Sequence, residues 1–445
     1  MRHSKNFNII GYTQLTTQQF TTKFFLHLSI FTSLVTISLC TTQKYNYPYE
    51  NPLTSTIIGT PRLYEADIPV DIPIITHNIT IDPNREIPEL FWYQKQLTFS
   101  YAKQPKPAPL IFILAGTGSG HESSTMNFLQ KIFFQAGFHV INLPSVTHPN
   151  FIITASSHFR PGDYQTDGAD LYRVMKKCLD AISNDLEITK CYLTGYSLGG
   201  AHAAIISQLD HLQKKINFKK VLIINPPVNL YNASLKLDTL LDNNIPGGEN
   251  NIGPFLNEVI EQFSGIYLSS NFIDMNKDFL ASFFQKQHPT DAEMSTIIGL
   301  AFRYYCSNMF FISDALTHSG VVIPKEITLS SNDSLTDYFK VFQRLSFSDY
   351  LQDILFPYFK SQNSALTLKQ FKQQSSLHRI KDFLQSSQHI AVMTNADDII
   401  LSANDLTFLQ NTFEGRITIY PKGGHLGNIT HKENIKNLIH YFKDH

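Results

Sequence analysis

The stretch YLTGYSLGGAHAAI, Tyr192–Ile205, holds one serine, Ser197, between an apolar run and an Ala-rich run with helical spacing. A serine hydroxyl becomes a useful nucleophile only when a base takes its proton and a third group orients that base. The string Gly195-Tyr196-Ser197-Leu198-Gly199 has the small residues two positions either side that a strained turn demands. A strand that enters, a serine at the turn and a small-residue helix that leaves would lift the Ser197 hydroxyl above a sheet. The amino end of that helix would then aim amide dipoles at developing negative charge.

The base is read at His425. It stands in YPKGGHLGN, where Gly423 and Gly424 let a loop approach closely after the last strand. Two carboxylates end an earlier strand in TNADDIIL. Asp398, next to the apolar IIL, is the preferred orienting acid, with Asp397 as the alternative. The one left over is expected to hold the loop through hydrogen bonds. The chain order is then serine, aspartate, histidine. An oxyanion needs two backbone amides. Leu198 supplies one, and the loop GTGSGHES supplies the other through Thr117, with Gly118 in reserve. That loop lacks the G-K-[ST] ending of a nucleotide cradle and has His121 where a G-x-G-x-x-G string would end, so no nucleotide site is read there.

Positioning these groups requires a particular scaffold. LTFSYA (97–102) alternates as a strand, and LIFILAG (110–116) is a continuous apolar run suited to a parallel sheet covered on both faces. Helix and strand then alternate: helix 124–136, strand FHVINLP, helix 170–182, strand CYLTG, helix 198–211, strand KVLIINPP. This rhythm is that of a parallel α/β sheet. It stops between Leu230 and Phe383. There, segments such as PFLNEVIEQFSGIYL, KDFLASFFQK and DAEMSTIIGLAFRYYCSNMFF read as helices, because no structureless loop of that length suits a compact protein. The sheet resumes at HIAVMTNADDIIL, followed by a helix over 403–412, the strand RITIYP and a closing helix over 431–442. Before the sheet, TSTIIGTP and VDIPIITHNI read as edge strands or an extended arm.

At these residues the chain resembles the α/β-hydrolase superfamily, and in particular bacterial serine hydrolases with a lipoprotein-like leader. The resemblance covers about Leu97 to His445. It rests on Gly195, Ser197 and Gly199 as the elbow, Asp398 and His425 as acid and base, and Thr117 with Leu198 as oxyanion donors. It implies an α/β sheet, mainly parallel, with a large helical cap inserted after the strand that follows the elbow. The expected boundaries are a leader over 1–40, an arm over 41–96, core over 97–229, cap over 230–387 and core again over 388–445. The family often has LHG before the oxyanion loop; here LAG puts Ala115 in place of the histidine. The implied activity is ester hydrolysis through an acyl-enzyme. The same machinery serves peptidases, amidases, thioesterases and acyltransferases, and a non-catalytic envelope protein could retain the fold.

Composition narrows the partners. The 445 residues carry a formal net charge of −1, with 16% charged residues and no basic block, which argues against a nucleic-acid partner. The 34 Phe and 20 Tyr point to an apolar core and an apolar groove but name no ligand. The Phe, Tyr, Leu and Ile of the expected cap suggest an apolar acyl group or lipid, with IGLAFRYYCSNMFFI either a wall of its site or packing within the cap. Four cysteines form no metal-like cluster and no cofactor motif is visible. KFFLHLSIFTSLVTISLC, Lys23–Cys40, follows a basic leader and reads as an export signal. Cys40 is placed as in a lipobox, although Leu39 stands where a small residue is usual. An uncleaved membrane anchor and a buried amphipathic arm are the other readings. Export would put the protein in a bacterial periplasm or outer membrane. His158, Arg160 and Asp163, in a polar loop, would either touch substrate or hold that loop. Asn428 is expected to cap the closing helix.

Overall fold

The computed structural model describes residues 45–248, 251–255 and 288–443. The expected leader with Cys40, most of PFLNEVIEQFSGIYL, and all of KDFLASFFQK lie outside the described residues. Residues Tyr47–His445 form one compact unit, to which everything below refers.

Eight strands form one sheet: β1 (Ile74–Ile79), β2 (Leu97–Ala102), β3 (Ala108–Leu114), β4 (His139–Leu143), β5 (Ile188–Tyr196), β6 (Phe218–Ile224), β7 (Ile390–Asn395) and β8 (Ile417–Tyr420). Their spatial order is β1-β2-β4-β3-β5-β6-β7-β8. From β4 onward every pairing is parallel; β2 runs antiparallel to both its neighbours. Leu110 to Leu114 are all at most 1% exposed, because helices cover both faces. With the helices below, this is an α/β-hydrolase sheet.

The helices of the core are α1 (Pro52–Ile58), α2 (Ser124–Gln135), α3 (Pro149–Thr154), α4 (Tyr164–Ile182) and α5 (Leu198–Gln213) before the insertion. Helix α4 starts well before the expected Asp170. Asp163 caps it, its Oδ2 accepting the Thr166 amide at 2.9 Å. The insertion follows β6 as α6 (Leu230–Asp242), α7 (Asp291–Thr317), α8 (Thr336–Phe342), α9 (Phe347–Tyr350), a π-turn, α10 (Phe356–Gln362), α11 (Leu368–Gln374) and α12 (Lys381–Ser386). Its helices pack around a second hydrophobic cluster, in which Phe310, Phe342, Tyr350 and Phe371 are completely buried and which Leu90, Phe91, Ile152 and Ile153 join from outside the insertion. Arg303 on α7 is buried there, and its guanidinium pairs with Asp242 at 2.9 Å and Asp238 at 3.6 Å. After β7 come α13 (Ala403–Thr412) and α14 (Lys432–Phe442).

One expected edge strand is a helix. TSTIIGT is β-branched and reads as strand by propensity, yet Thr54–Ile58 belong to α1. Asn51 caps that helix through the amides of Leu53 and Thr54, and Pro52 occupies its first turn. VDIPIITHNI does contain a strand, β1. Asn428 is not a helix cap either: α14 is capped by His431, which accepts the Glu433 amide.

Candidate active site

Strand β5 ends at Tyr196 and α5 begins at Leu198, leaving Ser197 alone at the turn with φ 53° and ψ −125°. A side chain in that region is strained by about 1–3 kcal/mol and persists only where its surroundings enforce it. The surroundings here are backbone. A Cβ at Gly195 would lie 2.3 Å from the Gly199 carbonyl oxygen, and one at Gly199 would lie 2.3 Å from the Leu114 carbonyl oxygen. The Ser197 amide donates to the Ile224 carbonyl at 2.9 Å, tying the turn to β6. Ser197 is partly exposed, with its hydroxyl available above the sheet.

His425 arrives from the loop after β8. Its Nε2 lies 2.9 Å from Ser197 Oγ, and its Nδ1 lies 3.0 and 3.1 Å from the two carboxylate oxygens of Asp398. With Nδ1–H donating to Asp398, Nε2 is left to accept the serine proton. The Asp398 side chain is fully buried. Its Oδ2 accepts from Asn225 Nδ2 at 2.7 Å and its Oδ1 from the Ile400 amide at 3.1 Å. Asp397 takes the other role: its oxygens accept the Gly423 and Gly424 amides at 3.1 and 2.9 Å. Burial raises its carboxyl above the usual carboxylate range.

The histidine loop rests on remote chain. The His425 amide donates to Thr56 Oγ1 of α1 at 2.9 Å. Gly424 has φ 55°, and a Cβ there would lie 2.2 Å from the Pro52 carbonyl oxygen, so only glycine fits under α1. Asn428 and Asn395 exchange amide hydrogen bonds at 2.6 and 2.9 Å, and Asn395 also donates to the Gly424 carbonyl at 2.7 Å. Asn428 thus steadies the loop from beside it.

Thr117 and Leu198 both line a cleft next to Ser197. Leu198 is the first residue of α5, where an amide has no acceptor within the helix. Gly118 is engaged differently. Its amide donates to Thr147 Oγ1 at 2.8 Å, so in this conformation it is committed to the loop. The cap supplies the facing wall. Phe302, Tyr305, Cys306 and Met309 of α7 line the same cleft, and all four fall within IGLAFRYYCSNMFFI.

His158, Arg160 and Asp163 hold their loop. The His158 ring stacks on Tyr358 at 5.1 Å, the Arg160 guanidinium sits over the same ring, and Asp163 caps α4. None of the three lines the cleft; Pro161, Gly162 and Asp167 do. Asn225 and Asp167 were not singled out in the sequence. Asn225 could have been: it directly follows β6, and ligand-facing groups in parallel sheets gather at the carboxyl ends of strands. Asp167 carries no such signal, because its burial comes from α4 packing against α5 and from the cap, not from any local pattern.

A second serine–histidine contact, Ser207 Oγ to His389 Nε2 at 3.2 Å, has a different character. Ser207 lies inside α5 and is 1% exposed, and His389 precedes β7, at the opposite end of that strand from Asp398. Among the described residues no carboxylate hydrogen-bonds to the His389 ring, and a serine within a helix has no free amide beside it.

Among the described residues no group of side chains is arranged to hold a metal ion, and no helix is long and apolar enough to cross a membrane. No family model and no curated protein matches the chain. Solved structures with a similar fold include a serine hydrolase from Cycloclasticus zankles (14% identity, 82% of this chain and 96% of that one, TM-score 0.39). A hydrolase of 2-hydroxy-6-oxo-6-phenylhexa-2,4-dienoate from Rhodococcus sp. is another (12%, 84% and 100%, TM-score 0.39). A third is a putative hydrolase from Legionella pneumophila (12%, 88% and 94%, TM-score 0.40). Identities and scores this low transfer neither residue roles nor substrates.

Proposed function

We propose that the chain is a serine hydrolase that cleaves an ester with an apolar acyl group through an acyl-enzyme on Ser197. The observation that carries this reading is the continuous line of contacts from Ser197 Oγ through His425 to a buried Asp398. As Ser197 Oγ bonds to the acyl carbon, its proton passes to His425 Nε2. The carbonyl oxygen gains negative charge, which the Leu198 and Thr117 amides stabilise. The tetrahedral adduct collapses, the C–O bond to the alcohol breaks, and His425 returns the proton to the departing alcohol. Water then repeats the sequence: it gives a proton to Nε2, its oxygen bonds to the acyl carbon, and the free acid leaves as Ser197 is reprotonated. Asp398 keeps the ring in the tautomer that accepts at Nε2 and stabilises the imidazolium that forms.

The preference for an apolar acyl group rests on the cleft wall, where Phe302, Cys306, Met309 and Phe347 join Leu198 and Leu230. A fluorophosphonate probe tests the chemistry. Wild-type protein is expected to label once, and Ser197→Ala to remove both labelling and turnover of p-nitrophenyl esters. Folded wild-type protein that neither labels nor turns over any ester, amide or thioester would end this reading. Export with lipid on Cys40 is part of the same proposal. Fatty-acid metabolic labelling that is lost in Cys40→Ala is the expected result.

A further inference from the structure

The cleft beside Ser197 is not apolar throughout. Asp167, on the first turns of α4, lines it and is only 2% exposed. Its Oδ2 accepts the Gly162 amide at 2.7 Å, while Oδ1 makes no hydrogen bond among the described residues. His202 of α5 lies behind it, 1% exposed, with Nε2 3.9 Å from Asp167 Oδ2 and no hydrogen-bond partner of its own. Around these groups the wall is Leu230, Phe302, Cys306, Met309 and Phe347. Burial pushes the Asp167 carboxyl well above the usual carboxylate range and the His202 imidazole down to about 3. Among the described residues no Lys or Arg pairs with Asp167 in this cleft, so its carboxyl is left to hydrogen-bond partners. Buried polar atoms left unpaired in an apolar cleft are costly, which makes them selective for a ligand that pairs with them.

We infer that the cleft takes an acyl chain carrying a hydroxyl group, and that Asp167, which lines the same cleft as Thr117 and Leu198, receives this hydroxyl. The inference rests on the proposed hydrolase reading for its orientation, since the acyl carbon must sit between Ser197 and the Leu198 and Thr117 amides. A hydroxyl both donates and accepts, so it satisfies the free Asp167 oxygen whichever partner supplies the proton. An ammonium group would instead have to shed its water in a cleft walled by Leu230, Phe302, Met309 and Phe347, with a single carboxyl there that already accepts the Gly162 amide.

Two measurements test it. In the first, p-nitrophenyl esters of straight acyl chains are compared with counterparts hydroxylated at successive carbons and with ω-amino counterparts. One hydroxyl position is expected to raise kcat/KM about tenfold or more over the plain chain of equal length. Asp167→Asn, which keeps an acceptor for the Gly162 amide, retains part of this preference, and Asp167→Leu abolishes it. In the second, the same acids without the leaving group are added to Ser197→Ala protein and the melting temperature is followed, which requires no turnover. The matching hydroxy acid should raise it more than the plain acid. Equal shifts at every hydroxyl position, as a bound water in place of the hydroxyl would give, overturn the inference. So does a larger shift with the amino acids, or a hydroxyl preference undiminished in Ser197→Ala/Asp167→Leu. Wild-type protein that fails to label while Ser197→Ala retains the hydroxyl preference would sink the hydrolase reading and leave the pocket standing.

Discussion

The serine end and the histidine end of the site are built on opposite plans. Ser197 is fixed by chain close to it and by the neighbouring strands: Gly195, Gly199, the Leu114 carbonyl and the Ile224 carbonyl enforce one backbone shape. His425 sits in a glycine-rich loop that has no regular structure of its own. It is held by Asp398, by the Asn395–Asn428 pair and by Thr56 from the other end of the chain. Strain stored locally gives precision that survives distant change. Bracing from afar gives a position that several weak contacts share, each of which can be loosened separately.

That contrast can be broken or sharpened by substitution. Asp398→Asn should have the largest effect, a fall in kcat of about ten-thousandfold with the fold intact, because the ring then loses its tautomer; Asp397→Asn should cost about tenfold or less. Steady-state kinetics on both variants decide which carboxylate orients the base, and equal losses would contradict the geometry. Gly199→Ala comes next, with about 3 kcal/mol or more lost in chemical denaturation, since its Cβ meets rigid backbone. A Gly199→Ala protein as stable as wild type would mean that the elbow is less constrained than its contacts imply. Thr56→Val should lower kcat about tenfold at a cost of about 1 kcal/mol in stability, by removing the acceptor of the His425 amide. If kcat is unchanged, bracing by α1 is dispensable and the two ends are more alike than they look.

The smallest effect concerns pH. His431 is fully buried, packs against Tyr47 and Tyr64, and caps α14; burial lowers its imidazole to about 4. A folded-state value below the ordinary 6.5 means that the unfolded chain binds the proton first. The stabilisation is therefore present above about pH 6.5 and is lost as pH falls toward 4. Melting temperature should drop on acidification from pH 7 to 5. His431→Asn, which retains a cap, should flatten that slope by an amount on the order of 1 kcal/mol. An identical slope in the variant would place the acid sensitivity elsewhere.

The same contrast explains what the sequence made legible. The strand rhythm, the order of the elements and the elbow all follow from periodicity and from glycines within a few positions of one another, and β3, β5, α5, β7 and α13 lie close to where the pattern put them. Ser197, His425 and the two aspartates could be placed because each ends a strand or follows one. In the arm, Thr and Ile favour a strand, while the Asn51 cap and Pro52 favour the helix that Pro52–Ile58 form, and Gly424 and Gly427, far along the chain, let that helix pack closely. Asp167 escaped notice for the same reason. Its chemistry comes from burial between two helices and the cap, which no local pattern announces.

Thr56 and His425 stand 369 positions apart. During synthesis the first is made long before the second, so a growing or truncated chain carries an elbow with nothing to deprotonate it. On the proposed reading, Ser197 would gain its base only after the His425 loop has docked against Thr56. On that reading, a nascent polypeptide of this design would stay chemically silent until the His425 loop has folded.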